Sequence, residues 1–77
     1  MYFSKDEVIE LNNNKKYLII DNAILNDTVY YKIREYTNNE LLGDFIYITT
    51  INREGKIYIN EKLSNSELEK VKELFES

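Results

Sequence analysis

The chain has 77 residues and a mass of 9.2 kDa, which allows one domain and excludes architectures that set a cofactor domain beside a substrate domain. Hydrophobic residues make up 43% and charged residues 31%, a globular balance outside the disordered regime. The net charge is −4, and there is no Cys and no His, which removes disulfide frameworks, thiolate metal sites, and the commonest general base and metal ligand.

Along the first sixty residues, clusters of turn-forming residues separate strand-sized pieces. Asn12-Asn13-Asn14, Asn26-Asp27, the Thr37 to Gly43 stretch and Arg53-Glu54-Gly55 tolerate turn or left-handed backbone. Between them, runs at about 6–11, 16–25, 28–36, 44–51 and 56–60 are rich in Ile, Val, Tyr, Phe and Thr, which suit a pleated, half-buried surface. The short connections predict antiparallel neighbours.

The last segment changes period. Leu68, Val71 and Phe75 recur at helical spacing, with Leu74 beside them and charged residues elsewhere. Ser64-Asn65-Ser66-Glu67 fits a capping box, and Leu63 and Leu68 stand where a hydrophobic staple closes, so an amphipathic helix is expected at about 65–76. The predicted fold class is α+β: a five-stranded antiparallel β-meander or SH3-like half-barrel with one C-terminal amphipathic helix, in a single domain over 1–77.

Counting outward from the turns assigns faces. A two-residue loop at Asn26-Asp27 sets Leu25 opposite Thr28, pairs Asp21 with Lys32 as ions, and pairs Tyr17 with Tyr36. A three-residue loop at Arg53-Glu54-Gly55 sets Ile51 opposite Ile57, and a two-residue turn at Asn13-Asn14 sets Ile9 opposite Leu18. The inner face then carries Ile9, Leu11, Leu18, Ile20, Ile24, Val29, Tyr31, Ile33, Phe45, Tyr47, Ile51, Ile57 and Ile59. The outer face carries Val8, Tyr17, Ile19, Tyr30, Tyr36, Ile46, Ile48 and Tyr58, with Lys32, Arg34 and Lys56 among them. One helix cannot cover both faces, and contiguous apolar surface beyond a few hundred Å² tends to mark interaction sites. The ordinary alternative is a solvent-facing sheet with scattered tyrosines and isoleucines.

Catalytic chemistry finds little material. Without His or Cys no nucleophile–base pair assembles, the carboxylates lie in turns, at the ends or on the helix, and Gly43 and Gly55 are turn glycines rather than a phosphate loop. No enzyme, metal or cofactor is expected. Apolar runs such as Tyr17–Ile20 and Phe45–Ile48 fall far short of the roughly 20 residues of a spanning helix. The N-terminus turns acidic where a secretory signal is basic and then apolar. A cytoplasmic protein without membrane partners is expected.

Tyr30, Lys32, Arg34 and Tyr36 alternate along one strand, the kind of face with which small β-barrels hold single-stranded nucleic acid. A pI near 4.8 disfavours that reading. The acidity itself is mild and divided between the ends, with −2 over residues 1–11 and −2 over 61–77. The leading expectation is a non-catalytic protein-binding module whose partner is another protein or its own copy as a homodimer. Its predicted contact residues are Tyr17, Tyr30, Lys32, Arg34, Tyr36, Leu41, Leu42, Ile46, Ile48 and Tyr58. Abundant Asn, Lys, Ile and Tyr, with Ala23 the one alanine, suggest an AT-rich genome and hence a phage- or plasmid-borne inhibitor or accessory protein.

Overall fold

A computed structural model of the chain describes residues 3–76. Five strands, β1 (Val8–Glu10), β2 (Lys16–Leu25), β3 (Thr28–Thr37), β4 (Glu40–Arg53) and β5 (Lys56–Asn60), precede helix α1 (Asn65–Glu76). All neighbours are antiparallel, in the spatial order β1-β2-β3-β4-β5. The fold is an α+β meander curled into a half-barrel with one C-terminal helix, as the residue pattern predicts.

The long hairpins are closed by two-residue loops whose central residues both have positive φ: Asn26 and Asp27 (51° and 63°), Asn38 and Asn39 (52° and 64°), Glu54 and Gly55 (52° and 82°). That is the type I′ geometry, which matches the right-handed twist of the strands it joins. The Asn26-Asp27 loop and the Leu25–Thr28 pair are as expected. The other turns differ. Thr37 to Gly43 is not a loop: Thr37 pairs with Glu40, and β4 carries Leu41 and Leu42 as strand residues. At the last hairpin Arg53 pairs with Lys56 and Asn52 with Ile57, so the connection is two residues rather than three. The three-residue form with a left-handed third position occurs at the first hairpin instead. There Asn14 (φ 64°) donates to the Leu11 carbonyl at 3.0 Å and Leu11 donates to the Lys15 carbonyl at 3.1 Å. Val8 therefore pairs with Leu18, and Ile9 with Tyr17.

Two bulges interrupt the ladders. In β2 the register passes from Ile19–Ile33 to Asp21–Lys32, leaving Ile20 as an extra residue. Between β3 and β4 it passes from Ile33–Ile46 to Glu35–Leu42, so Gly43, Asp44 and Phe45 oppose Arg34 alone. Because side chains alternate with a period of two, an odd insertion moves every following residue to the other face. At Ile20 the insertion is odd, so Tyr17 and Ile19 replace Leu18 and Ile20 inside and Tyr17 pairs with Glu35 rather than Tyr36. The β4 insertion is even and keeps parity, and Ile46 and Ile48 replace Phe45 and Tyr47 inside because the last hairpin loop has two residues rather than three.

The inner core consists of Ile9, Leu11, Tyr17, Ile19, Tyr31, Ile33 and Ile48, with Phe3, Val29, Ile46 and Ile59 packed against it. The curl of the sheet shelters most of this core. The N-terminal segment completes it: Asp6 donates to the Ile19 carbonyl and Ile19 to the Glu7 carbonyl, both at 2.8 Å, which ties the segment to β2 beside the bulge. Phe3 then meets Tyr31 edge-on at 5.2 Å between ring centroids. Opposite, Leu11 and Asn12 approach Ile57–Ile59 without a ladder among the described residues, leaving a cleft of about 200 Å³ in the half-barrel.

This assignment makes Ile19→Ala costly, about 2–5 kcal/mol in urea denaturation, and the outward Leu18→Ala clearly cheaper. Glu54 holds a left-handed backbone without an Asn or Gly side chain's tolerance of it. Glu54→Asn creates the favoured Asn-Gly turn and is expected to stabilise by about 0.5–1 kcal/mol, read as a rise in Tm of a few degrees.

Candidate functional site

The outer sheet face is only partly covered by α1. Val71 is fully buried, and it meets Tyr30 and Tyr47 with Leu25, Leu63, Leu68 and Phe75 around them. The Tyr47 and Phe75 rings lie 5.7 Å apart. Ser64 caps the helix, its Oγ accepting from Glu67 N at 3.2 Å and its carbonyl from Leu68 N at 2.8 Å. The Glu67 carboxylate, the other half of the expected box, instead accepts the Tyr30 hydroxyl at 2.5 Å. Helix cap and helix–sheet contact therefore share one residue. Burial, together with the hydrogen bond and negative charge of Glu67, pushes the Tyr30 phenol up to about 12. Burial, with Glu76 nearby, also raises the Tyr47 phenol.

Helix α1 packs over Leu25, Tyr30 and Tyr47, while Val8, Leu41 and Phe45 on the same face are exposed. The part of the outer face beyond the helix stays open. On it the register places Val8, Leu18 and Arg34 in one row, Glu10 and Lys16 in the next, and Tyr36 opposite Leu41. Phe45 joins them by alternation, next to inward-facing Ile46 and on the same parity as Leu41 and Tyr47. Gly43 has φ 72°, and its carbonyl accepts from Arg34 Nε at 2.8 Å. The ring of Phe45, 44% exposed, has Lys32 Nζ at 4.1 Å and Arg34 Cζ at 5.4 Å from its centroid.

At the end of this surface lies an open depression of about 520 Å³, lined by Val8, Lys15, Lys16 and Tyr36 and by the amides of Asn14 and Asn38. The Tyr36 hydroxyl donates to Asn39 Oδ1 at 3.1 Å. Lys15 pairs with Glu35 at 3.7 Å. Lys16, Lys32 and Arg34 have no carboxylate within 4.0 Å among the described residues. The expected Asp21–Lys32 ion pair is not made, although the residues are opposite one another. Asp21 accepts from Asn22 N at 2.8 Å, while Lys32 turns to Phe45.

The residues expected to form a contact surface are divided by the fold. Lys32, Arg34, Tyr36 and Leu41 come together on the open part. Tyr17 and Ile48 belong to the inner core and Ile46 packs against it, a correction caused by the Ile20 bulge for Tyr17 and by the two-residue last hairpin loop for Ile46 and Ile48. Tyr30 is on the expected face but lies under α1. Leu42 shares a row with Tyr17 and Glu35 on the inner side, 41% exposed at its rim. Tyr58, 50% exposed opposite Ile51, lies across the helix-covered rows from the other candidates. Sequence reasoning missed Leu18 and Phe45, which it placed inside. The Gly43 signal for a bulge was present but was absorbed into a presumed loop.

Among the described residues no group of three or more Asp or Glu side chains is placed to hold a metal ion, and no helix is long and apolar enough to cross a membrane. Comparison of the chain with protein-family models, curated proteins and solved structures found no match.

The Tyr30–Glu67 contact has a defined pH signature. The folded phenol titrates above its unfolded value of 10, so the stabilisation it supplies is whole below pH 10 and is lost as pH rises through about 12. Tyrosinate absorbance is expected to show Tyr30 ionising near 12 together with loss of helix docking. Because burial is the first cause, Glu67→Gln leaves this value between 10 and 12. Tyr30→Phe is expected to cost about 1–2 kcal/mol in denaturant unfolding.

Proposed function

We propose that the chain is a non-catalytic protein-binding module and that the open part of its outer sheet face is the docking surface. The observation that carries this reading is the gathering of Lys16, Lys32 and Arg34, without carboxylate partners within 4.0 Å among the described residues, around exposed Phe45 and Leu41 and half-buried Tyr36 in a chain of net charge −4. An apolar centre with a rim on which Lys16, Lys32 and Arg34 outnumber Glu10 and Asp21 favours an acidic surface that also presents apolar side chains. Such a partner discharges the unpaired cations and covers Phe45 and Leu41 in one step.

Binding of this kind occupies a surface rather than transforming a substrate. It suits an accessory protein that blocks or recruits a larger one in the cytoplasm, and the abundance of Asn, Lys, Ile and Tyr, whose codons are rich in A and T, supports a phage or plasmid origin. The second reading, a module for single-stranded nucleic acid, draws on the alternation of Lys32, Arg34 and Tyr36 along β3. It ranks lower because Tyr30 is buried under α1, Phe45 already carries Lys32 against its ring, and the overall charge is negative.

A titration of the ¹⁵N-labelled protein separates the two. A short peptide alternating Glu with Phe and Leu is expected to perturb the amides of Lys32, Arg34, Tyr36, Leu41 and Phe45. Phe45→Ala with Arg34→Ala weakens that binding about tenfold or more. Tighter, strongly salt-dependent binding of oligothymidylate at the same amides would favour nucleic acid instead. No response to either probe at low salt would remove the docking surface.

A further inference from the structure

We propose that the depression between the two hairpin turns at one end of the sheet is a binding site for a neutral saccharide. The inference is independent of the docking reading, although both use Tyr36 and Lys16.

The register builds the site. β2 begins where β3 ends, so Lys16 lies beside Tyr36, one residue beyond the Tyr17–Glu35 pair. The turns at residues 12–15 and 38–39 flank these two side chains and, with Val8, enclose about 520 Å³. That volume lies within the roughly 300–1,000 Å³ usual for small-molecule sites.

Three asparagines converge there. Asn14, Asn38 and Asn39 all hold left-handed backbone, with φ of 64°, 52° and 64°, which explains asparagine at each position taken singly. It does not explain their gathering around one tyrosine. The side-chain amides of Asn14 and Asn38 have no hydrogen-bond partner among the described residues, and Asn39 accepts the Tyr36 hydroxyl on Oδ1 at 3.1 Å, which leaves its Nδ2 to donate elsewhere. A planar amide sets donors beside an acceptor, the pairing that adjacent hydroxyls of a sugar require. The Tyr36–Asn39 bond also fixes the half-buried Tyr36 ring, an apolar surface with a polar tip on which the C–H face of a pyranose can rest. Val8, 44% exposed, extends that floor. Because the amides sit on closed hairpin turns, little backbone ordering is left for the ligand to impose.

Charge narrows the ligand class. The lining holds two cations, Lys15 and Lys16, and no carboxylate. Just outside it, Glu35 pairs with Lys15 at 3.7 Å, Glu10 stands opposite Lys16, and Glu40 stands opposite Thr37. These carboxylates offset the ammonium groups, so the site does not select an anion. A neutral polyhydroxyl ligand depends on hydrogen bonds rather than net charge, and the ammonium groups serve it as donors. The depression is open, so the affinity is modest and insensitive to salt.

Titration of the ¹⁵N-labelled protein with maltose, cellobiose and N,N′-diacetylchitobiose, each to about 20 mM, tests the site. At least one is expected to move the amides of Lys16, Tyr36, Asn38 and Asn39 with saturation in the millimolar range, unchanged when salt is raised to about 0.5 M. Asn14→Gly with Asn38→Gly keeps both left-handed turns while removing two amides, and weakens this binding about fivefold or more. Tyr36→Ala abolishes it; if circular dichroism shows that variant unfolded, the glycine pair decides the test. Saccharides that move none of these amides, or that bind the glycine variant as tightly as the wild type, overturn the proposal. So does inorganic phosphate that shifts the same amides at lower concentration and loses the effect in salt, which would make the depression an anion site.

Discussion

The extra residue at Ile20 reverses the alternation of β2, and the contents of the core follow from that reversal. On one side of it, Asp21, Ala23 and Leu25 face outward with Lys32, Tyr30 and Thr28. On the other, Tyr17 and Ile19 turn inward against Tyr31 and Ile33. The N-terminal segment fastens at the same place through the Ile19 amide and carbonyl, so the irregularity also brings Phe3 to the inner core. A bulge strengthens local twist as well as shifting parity. The sheet can therefore curl over its inner face with no second layer there, leaving the single helix free to cover the other side.

The outer face is organised by a different balance. Tyr30 and Tyr47 are large side chains with one polar end each, and α1 buries their rings while Glu67 receives one of the hydroxyls. Farther along the same face the sheet uses cations instead. Lys32 and Arg34 lie against Phe45, and Arg34 ties down the Gly43 carbonyl that the bulge leaves outside the ladder. Long basic side chains lower the cost of the exposed ring without hiding it. The two parts of one sheet face thus differ in kind, one dry and closed, the other charged and open.

What could be read from the residues was what local chemistry determines. The Ser64 cap and the spacing of Leu68, Val71 and Phe75 placed α1 at 65–76, because caps and helical periodicity are settled within a few residues. The Asn26-Asp27 turn placed the β2–β3 hairpin for the same reason. Facing failed where a single inserted residue decides it. Nothing at Ile20 marks a bulge, since neither glycine nor proline is there, and an apolar residue suits a strand on either face. At Arg53-Glu54-Gly55 two loop lengths both require Gly55 at positive φ, and the observed one also puts Glu54 there, against its intrinsic preference. The candidate site was legible in its charge pattern along β3, where no insertion intervenes between Tyr30 and Tyr36, and illegible on β4, whose facing follows from the length of the last hairpin loop.

The free border of β4 has a consequence of its own. β5 pairs with Thr49–Arg53, so among the described residues the stretch from Glu40 to Ile48 has no strand neighbour on that side. A long straight border of this sort invites foreign chains to stack on it and grow into fibres. Here the Gly43–Phe45 bulge bends the border, and Glu40 and Asp44 put negative charge along it. The distortion that leaves the Gly43 carbonyl to Arg34 also guards a small protein without disulfides against amyloid-like growth.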